Sequence, residues 1–333
     1  MFPCALRMGI VVARALLRHP CAGPGADDPL GYRHCNKDPD TMAWLKGIIS
    51  IVLLSGNTLF WGIPLIVLSL LKLALPFQSV QKRLLRCLNR IASLWITTNN
   101  LWIRHWLRPD WHISLPDTIS RDRHWLVIAN HRSWTDVFVM LYALHDRLPM
   151  PRFFIKRELI WVPILGLAWW ALEFPMMRRY SASQLKRRPH LASHDLQSTQ
   201  KLLTHIDHTP VTIYNFAEGT RFTRAKHEQQ QSPYQCLLKP RAGGCAQVMT
   251  MMGHKLSGII DVTLDYRHGR PRFRDLLCGR SARITLRARR LDIPEWMPDG
   301  DYLNDTHYRE RFQAWINALW QEKDQQLSCT TVS

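Results

Sequence analysis

The sequence lacks the paired cysteines, internal repeats, low-complexity segments and nucleic-acid-binding motifs by which several common classes of protein are recognised. Its eight cysteines lie at positions 4, 21, 35, 87, 236, 245, 278 and 329 without a CxxC pair, which argues against a metal site. Scattered cysteines of this kind favour reduced thiols in a cytosolic domain. There is no internal repeat, no low-complexity segment and no recognisable nucleic-acid-binding module. We therefore expect no cofactor, no metal and no nucleic-acid partner.

Acidic residues are also scarce relative to basic ones. The chain of 333 residues has 26 Asp and Glu against 44 Lys and Arg, a net charge of +18. Such an excess favours polyanionic partners, either nucleic acid or anionic lipid headgroups. The 14 tryptophans favour the lipid interface, where indole rings settle at the level of the headgroups. The alternative is a soluble basic protein with tryptophans in its core.

The hydrophobic pattern alternates between short strands and helices. Strands are predicted at 125–129, 152–155, 174–177, 211–216, 257–265 and 282–289, and helices at 134–147, 163–173, 192–207, 242–253 and 305–324. Alternation of this kind predicts an α/β domain with a mixed, largely parallel sheet flanked by helices. In the last helix, an apolar stripe at helical spacing predicts core or membrane contact; it comprises Tyr308, Phe312, Trp315, Ile316 and Leu319.

A histidine and an aspartate follow the first of these strands. His131 and Asp136 lie just after residues 125–129, and the carboxyl edge of a sheet is where α/β proteins place their chemistry. The aspartate can fix the tautomer of the histidine and stabilise its cation, as in a Ser-His-Asp triad without its nucleophile. The nucleophile is then a hydroxyl of the substrate. A histidine at a strand end is more often structural, and Ser133 is too close in sequence to aim at His131.

A second polar segment follows the strand at 211–216. Gly219 permits a tight turn and the close approach of a ligand, and Glu218 and Arg221 flank it. The arginine offers a forked donor that suits phosphate oxygens. The alternative is a turn with an incidental ion pair.

Together these segments resemble the glycerolipid acyltransferase family, typified by the 1-acyl-glycerol-3-phosphate acyltransferases. Asn130 to Asp136 matches its NHxxxxD motif, and Phe216 to Arg221 matches FxEGTR, with Ala217 where many members have proline. Further similar segments are Lys156 to Leu159, Val162 to Gly166, Arg178-Arg179 and Lys239 to Gly244, and the resemblance as a whole covers roughly residues 44–290. The strand Ile259 to Leu264 resembles the branch that acts on lysophosphatidylinositol or lysocardiolipin-type acceptors.

The resemblance implies a direct transfer of an acyl group from acyl-CoA or acyl-carrier protein to the hydroxyl of a lysophospholipid. His131 would be the general base, oriented by Asp136. The implied substrate-binding residues are Asn130, Glu218, Gly219, Thr220 and Arg221, with Arg178, Lys156 and Lys239 as weaker candidates. Glu218 would orient Arg221 or the acceptor, and backbone amides near Asn130 and Gly219 would stabilise the oxyanion. Open alternatives are glycerol-3-phosphate or lipid A acylation, and a membrane-anchored scaffold that binds anionic lipid without catalysis.

An apolar run at residues 47–75 contains a single charged residue, Lys72. About twenty apolar residues cross a bilayer, so one tilted spanning helix is favoured. A re-entrant hairpin that breaks at Gly56-Asn57 or at Gly62-Ile63-Pro64 also fits. The next segment contains four basic residues, Lys82, Arg83, Arg86 and Arg90. It predicts a basic amphipathic helix on the leaflet surface, and the alternative is a core-packing helix with a solvated charged face. This charge predicts a cell inner membrane protein whose catalytic domain faces the cytoplasm.

The first 41 residues are rich in turn-forming residues. Ile10 to Leu17 is too short to span a membrane and is not followed by a cleavage site. We expect a poorly ordered tail and full activity for a chain that begins at Met42. The predicted divisions are the tail (1–43), the anchor (44–77), a basic membrane-surface region (78–115), the catalytic domain (116–295), and a C-terminal helix and tail (296–333).

Overall fold

The structure is a computed structural model. It describes residues 41–153, 155–156, 160–161, 165–174, 176–177, 209–266, 272–280, 283–302 and 304–331. The predicted tail before Thr41 and the predicted helix at 192–207 lie outside these residues.

A six-stranded sheet forms the centre of the protein. Its strands are β1 (Trp111–Ser114), β2 (His124–Ala129), β3 (Pro151–Phe153), β6 (Thr212–Phe216), β7 (Leu256–Tyr266) and β8 (Ile284–Leu291). Their order is β1-β8-β7-β2-β6-β3, and every neighbouring pair is parallel except β7 with β8. Two short strands, β4 (Ile155–Lys156) and β5 (Met176–Met177), pair in parallel separately. The predicted mixed, largely parallel sheet is confirmed.

The eight α-helices of the described residues lie before, between and after the strands, together with a π-helical turn (Ile103–Leu107) and a 3-10 turn (Gly253–Lys255). They are α1 (Thr41–Ala74), α2 (Gln78–Trp102), α3 (Thr135–Leu144), α4 (Leu165–Ala171), α5 (Arg224–Gln230), α6 (Gly243–Met252), α7 (Phe273–Leu277) and α8 (Thr306–Thr331). One face of the sheet packs against α6 and α8, and the other packs against α3. The apolar stripe on α8 is largely core, because Phe312 and Ile316 are fully buried.

The register of the central strands brings the two polar segments together. Ala129, the last residue of β2, pairs with Phe216, the last residue of β6. The residues that follow each strand therefore emerge side by side at one edge of the sheet. β7 also pairs with β2, with Val262 opposite Ala129, and continues four residues past that point to Tyr266. Its end consequently overhangs the same edge.

Helices α1 and α2 form an antiparallel hairpin. Asn57 on α1 donates to Asn99 on α2 at 2.8 Å, and Trp61 donates to Thr98 at 3.2 Å. At the closed end, Gln81 caps the carbonyl groups of Lys72 and Leu75. Helix α1 is continuous through Gly56 and Pro64, which fits the favoured single helix and not the alternative with a break at these residues.

Helix α1 contacts the rest of the protein near both of its ends. Lys46 donates to the carbonyl of Leu107, and Lys72 donates to the carbonyl of Ala171 and pairs with Glu173 at 2.9 Å. At 1.5 Å per residue these two lysines lie about 39 Å apart, so α1 runs along the surface of the domain. Its other side exposes large apolar side chains; they include Val52, Leu59, Phe60, Ile63, Val67, Leu70 and Leu73.

Helix α2 turns its apolar side inward. Leu84, Leu88 and Trp95 are buried against α1 and the domain, whereas Lys82 and Arg86 are exposed. The buried apolar side and the exposed basic side fit both predictions for this segment, a leaflet-surface helix and a core-packing helix, so its place at the membrane stays a prediction. Most of the large apolar side chains that are exposed among the described residues belong to α1, although Leu94 and Leu101 of α2 are exposed as well.

The hairpin lies directly beneath α3. Phe138 of α3 packs in one cluster with Leu54 of α1 and Trp102 of α2, and Val137 packs beside Trp95. The first turn of α3 also carries Asp136. The helix that packs on the hairpin therefore also carries one member of the predicted catalytic pair.

A buried ion pair fastens α8 to the sheet. The Lys323 ammonium is fully buried and donates to Asp261 of β7 at 2.6 Å and to the Val262 carbonyl at 2.7 Å. Arg289 of β8 reaches the other oxygen of Asp261 at 2.9 Å. Because a buried charge needs partners, this cluster fixes how α8 covers the sheet.

Candidate active site

The first residue of the NHxxxxD motif, Asn130, bonds with a neighbouring strand of the sheet. Asn130 is fully buried; its amide donates to the Leu264 carbonyl at 2.9 Å, and its carbonyl accepts from the Leu264 amide at 2.8 Å. This pair of bonds ties the end of β2 to the overhanging part of β7. Both polar atoms of the Asn130 side chain are thus used within the sheet, and its contact with substrate stays a prediction.

His131 and Asp136 form a hydrogen-bonded pair. The Nδ1 of His131 lies 2.8 Å from Asp136 Oδ2, which also accepts the backbone amides of Arg132 at 2.6 Å and Ser133 at 2.9 Å. The carboxylate has only acceptor sites, so Nδ1 carries the hydrogen and Nε2 keeps its lone pair. Nε2 is the atom that can take a proton from a substrate. The Ser133 hydroxyl bonds with Thr135, which leaves the triad interpretation without support.

The histidine ring is held on its face as well as at its edge. Phe216, the last residue of β6, stacks on the imidazole with ring centroids 4.1 Å apart and an interplanar angle of 20°. The Asp136 bond fixes rotation in the plane of the ring, and the stacked phenyl fixes the plane itself. The His131 side chain is 15% exposed, so part of it remains accessible.

The second motif is bonded to the first along its backbone. The Ala217 amide donates to the Ala129 carbonyl at 3.2 Å, and the Phe222 amide donates to the His131 carbonyl at 2.8 Å. Between them Gly219 takes a φ of +67°, a conformation that L side chains rarely adopt. The structure thus brings both predicted segments into one site, as their resemblance to the family implies.

Glu218 lies behind the histidine loop. It is fully buried and accepts the backbone amides of His131 at 3.1 Å and Leu238 at 3.4 Å. Burial raises the pKa of this carboxyl to about 8, although the two amides act in the opposite direction. A side chain in this position supports the loop that carries His131. Its predicted contact with the acceptor is not what the geometry favours.

Cationic side chains surround the second motif. The Arg221 guanidinium lies over the Trp134 ring, 4.7 Å from its centroid, and Lys226 donates to the Thr220 hydroxyl at 2.6 Å and to the Arg221 carbonyl. A methyl group at Gly219 would lie 3.5 Å from the Cδ of Arg241. The site therefore collects positive charge beside the histidine, which suits an anionic ligand.

The weaker candidates from the sequence fare differently. Lys239 is exposed, and its backbone amide bonds with Gln230. Lys156 ends β4, and Arg178 lies outside the described residues. Sequence reasoning missed Trp134, Lys226, Arg241 and Tyr266. Lys226 and Arg241 could have been found as basic residues that follow the FxEGTR motif in the sequence. The roles of Trp134 and Tyr266 depend on tertiary contacts.

Several backbone amides proposed for an oxyanion hole are already occupied. Those of Arg132 and Ser133 bond with Asp136, that of His131 bonds with Glu218, and that of Gly219 bonds with the Phe216 carbonyl. An amide that donates within the protein does not stabilise charge on a substrate. The cationic side chains around the second motif are the other candidates for that purpose.

Comparison with known proteins agrees with this geometry. A sequence model described as acyltransferase matches residues 111–265. The chain is 24% identical over 263 residues to 1-acyl-sn-glycerol-3-phosphate acyltransferase delta of Bos taurus, covering 74% of this chain and 64% of that protein. It is 25% identical over 213 residues to the gamma protein of Mus musculus, covering 60% and 52%. The match thus spans between about half and two thirds of these relatives.

A solved structure is similar as well. It is the 1-acyl-sn-glycerophosphate acyltransferase PlsC from Thermotoga maritima, with a TM-score of 0.46 and 16% identity over 86% of this chain and 97% of that one. The fold class itself rests on the strand order described above. The two motifs, their meeting at one edge of the sheet and the acyltransferase match over residues 111–265 agree, and the chain is similar to the glycerolipid acyltransferases that its sequence resembles.

Proposed function

We propose that this protein transfers an acyl group from a thioester, acyl-CoA or acyl-carrier protein, to the hydroxyl of a lysophospholipid. The observation that carries the proposal is the His131–Asp136 pair, which leaves Nε2 of a fixed imidazole as a proton acceptor. The relatives are named for a phosphate-bearing acceptor, and the cations beside His131 suit such a group. Lysophosphatidic acid is therefore the first acceptor to test, followed by other lysoglycerophospholipids.

The proposed reaction passes through one tetrahedral intermediate. His131 Nε2 removes the proton of the acceptor hydroxyl while that oxygen attacks the thioester carbonyl carbon. The carbon–sulfur bond then breaks, and the departing sulfur takes the proton back from the imidazolium. Base catalysis of this kind contributes on the order of 10²- to 10⁴-fold. No acyl-enzyme is needed, because the nucleophile belongs to the substrate.

Arg221 is the proposed clamp for the acceptor phosphate. Its guanidinium is held flat by Trp134, so its forked donors keep a fixed direction. Arg132, which lies over the Phe222 ring, and Arg241 beside Gly219 add charge on the same side. This charge also attracts the phosphates of acyl-CoA, so assays with each substrate varied separately are needed to divide the roles.

We propose that α1 attaches the protein to a membrane. It is the helix of the described residues that is long and apolar enough to cross one, and its outer side is exposed and apolar. Because the domain contacts α1 at both Lys46 and Lys72, we infer that the outer side enters one leaflet while the inner side stays on the protein. A hydroxyl of a membrane lipid would then reach His131 without leaving the surface.

Charge placement on α1 tests this attachment. Leu59→Glu with Ile63→Glu puts two carboxylates on the exposed side, and Ala314→Glu with Ala318→Glu puts the same charge on exposed positions of α8. We expect the first pair to abolish sedimentation with anionic vesicles and the second to leave it intact. Release of the wild type by carbonate washing would contradict the attachment. Labelling of Cys236 from outside intact cells would contradict a domain that faces the cytoplasm at the inner membrane.

The catalytic assignment is tested by a matched pair of histidines. His131→Ala should abolish transfer to lysophospholipids from acyl-CoA and from acyl-carrier protein. His254→Ala removes the histidine of an exposed His254–Asp299 pair at 2.7 Å and should leave transfer unchanged. Folded His131→Ala with near wild-type activity would refute the mechanism. A wild type that binds anionic lipid but acylates none of lysophospholipids, glycerol-3-phosphate and lipid A precursors would favour the scaffold instead.

A further inference from the structure

The last residue of β7 enters the site from a different strand than either motif. Tyr266 is buried, and its hydroxyl donates to Oδ1 of Asp136. Residue 266 reaches this position because β7 overhangs the end of β2, and the Asn130 side chain fixes the overhang through Leu264. The contact therefore depends on the same sheet edge that assembles the motifs.

The two oxygens of Asp136 have different partners. Oδ2 accepts from the His131 ring and from the backbone amides of Arg132 and Ser133, whereas Oδ1 accepts from Tyr266. The carboxylate is fully buried, so water does not replace a lost donor freely. Without the tyrosine hydroxyl, one oxygen of a buried carboxylate would be left without that donor, and its torsion would be less restricted.

The surrounding charges settle which group donates. Burial, and then the negative charge of Asp136, raise the pKa of Tyr266 well above its usual value, so the phenol keeps its hydrogen. Arg132 acts in the opposite direction on Tyr266, and the buried Glu218 carboxyl faces Asp136 from the second motif. His131 is the remaining titratable group in contact with Asp136. Tyr266 is thus a fixed donor over the working pH range.

We propose that Tyr266 is a positioning residue: it holds the Asp136 carboxylate in the orientation that keeps the hydrogen of His131 on Nδ1 and the lone pair on Nε2. Tyr266 itself touches neither substrate nor the reacting atoms, and it acts through Asp136. The inference rests on the proposed acyl transfer. The His131–Asp136 pair comes from the loop after β2, whereas Tyr266 comes from the end of β7. A third strand therefore contributes to the site beside the two strands that carry the motifs.

The test is Tyr266→Phe, which removes one oxygen and keeps the ring. Tyr308→Phe is the matched control, because Tyr308 is also buried and its hydroxyl donates to the Met297 carbonyl at 2.6 Å on the other face of the sheet. Loss of a hydrogen bond to a charged group should lower kcat about 10- to 100-fold. We expect the KM of both substrates to stay within about twofold, and Tyr308→Phe to leave kcat unchanged.

A double-mutant cycle separates positioning from general packing. In an Asp136→Asn background, measured at high enzyme concentration, Tyr266→Phe should cause no further loss, because the group through which it acts is already altered. The same fall in both backgrounds would overturn the proposal, as would a wild-type kcat for folded Tyr266→Phe. If His131→Ala remains active, the proposed function fails; if His131→Ala is inactive and Tyr266→Phe is normal, only the role of Tyr266 fails. Thermal melts of each variant confirm folding.

Discussion

Phe216 lies flat against the imidazole of His131, with ring centroids 4.1 Å apart. The two residues belong to different motifs, and the pairing of Ala129 with Phe216 at the ends of β2 and β6 brings them together. The stack is the only contact among those described here that restrains the plane of the histidine ring, since Asp136 holds it at its edge. Its removal should consequently affect the chemical step more than binding.

Phe216→Leu should reduce kcat by about 3- to 10-fold, the range expected for an aromatic contact worth roughly 0.5–1.5 kcal/mol. The KM for both substrates should change little, because leucine keeps the site apolar. Steady-state kinetics with each substrate varied in turn measures this. Phe312→Leu is the control, because its ring packs beside Tyr308 and Trp315 on the other face of the sheet. Equal losses in both variants would point to general packing.

Arg221→Lys should raise the KM of the acceptor more than that of the acyl donor. Lysine keeps the charge but loses both the planar fork and the stack on Trp134. A rise of about tenfold in acceptor KM is expected for the loss of one bidentate contact. Arg224→Lys makes the same change in an exposed arginine paired with Glu228 and should have no effect. Equal rises for both substrates would argue against a phosphate clamp.

Glu218→Gln should change how stability depends on pH. The wild-type carboxyl, with its pKa raised from 4.5 to about 8, keeps a proton in the folded state that the unfolded chain releases. The unfolded state therefore binds fewer protons between these values, and wild-type stability falls as pH rises through that window. Glutamine does not titrate, so the variant should lose part of this fall. Thermal midpoints at pH 5 and pH 8 test it, with the exposed Glu228→Gln as control.

Lys323→Met should destabilise the fold without touching the chemistry. It removes one partner of the fully buried Lys323–Asp261 pair at 2.6 Å and leaves Arg289 as the remaining cation. We expect a loss of about 3 kcal/mol in the free energy of unfolding, near the lower end for breaking a buried pair. Denaturant titration measures this loss. The kcat of the remaining folded protein should equal that of the wild type, and a fall in kcat would show that α8 influences the site.

A chain that begins at Met42 should keep both membrane attachment and specific activity. Helix α1 begins at Thr41, and every residue placed in the site lies after Asn130. Expression from Met42 and comparison of the membrane fraction and specific activity with the full chain provide the test. A large loss of either would assign a docking role to the segment before α1.

The sequence by itself determined the α/β class, the two motifs and the strands other than β1, which was not predicted. Short apolar runs such as 125–129 and the turn at Gly219 are local properties, and their order along the chain carries the family resemblance. The apolar run before the domain likewise predicted α1, although its periodicity did not tell a continuous helix from a broken one. The basic helix was ambiguous for the same reason, since an amphipathic pattern is identical for a leaflet and for a protein core.

Only the tertiary structure decided which side chains serve the fold and which face the ligand. Asn130 and Glu218 look like binding residues in the sequence, yet sheet register and packing bury both against backbone groups. The same register carries Tyr266 to Asp136. Burial and hydrogen-bond partners depend on strands far apart in the chain, and a motif fixes only the spacing between its own residues. The contacts of Lys46 and Lys72 likewise could not be predicted from the sequence of α1, because their partners belong to the domain that follows α1 in the chain.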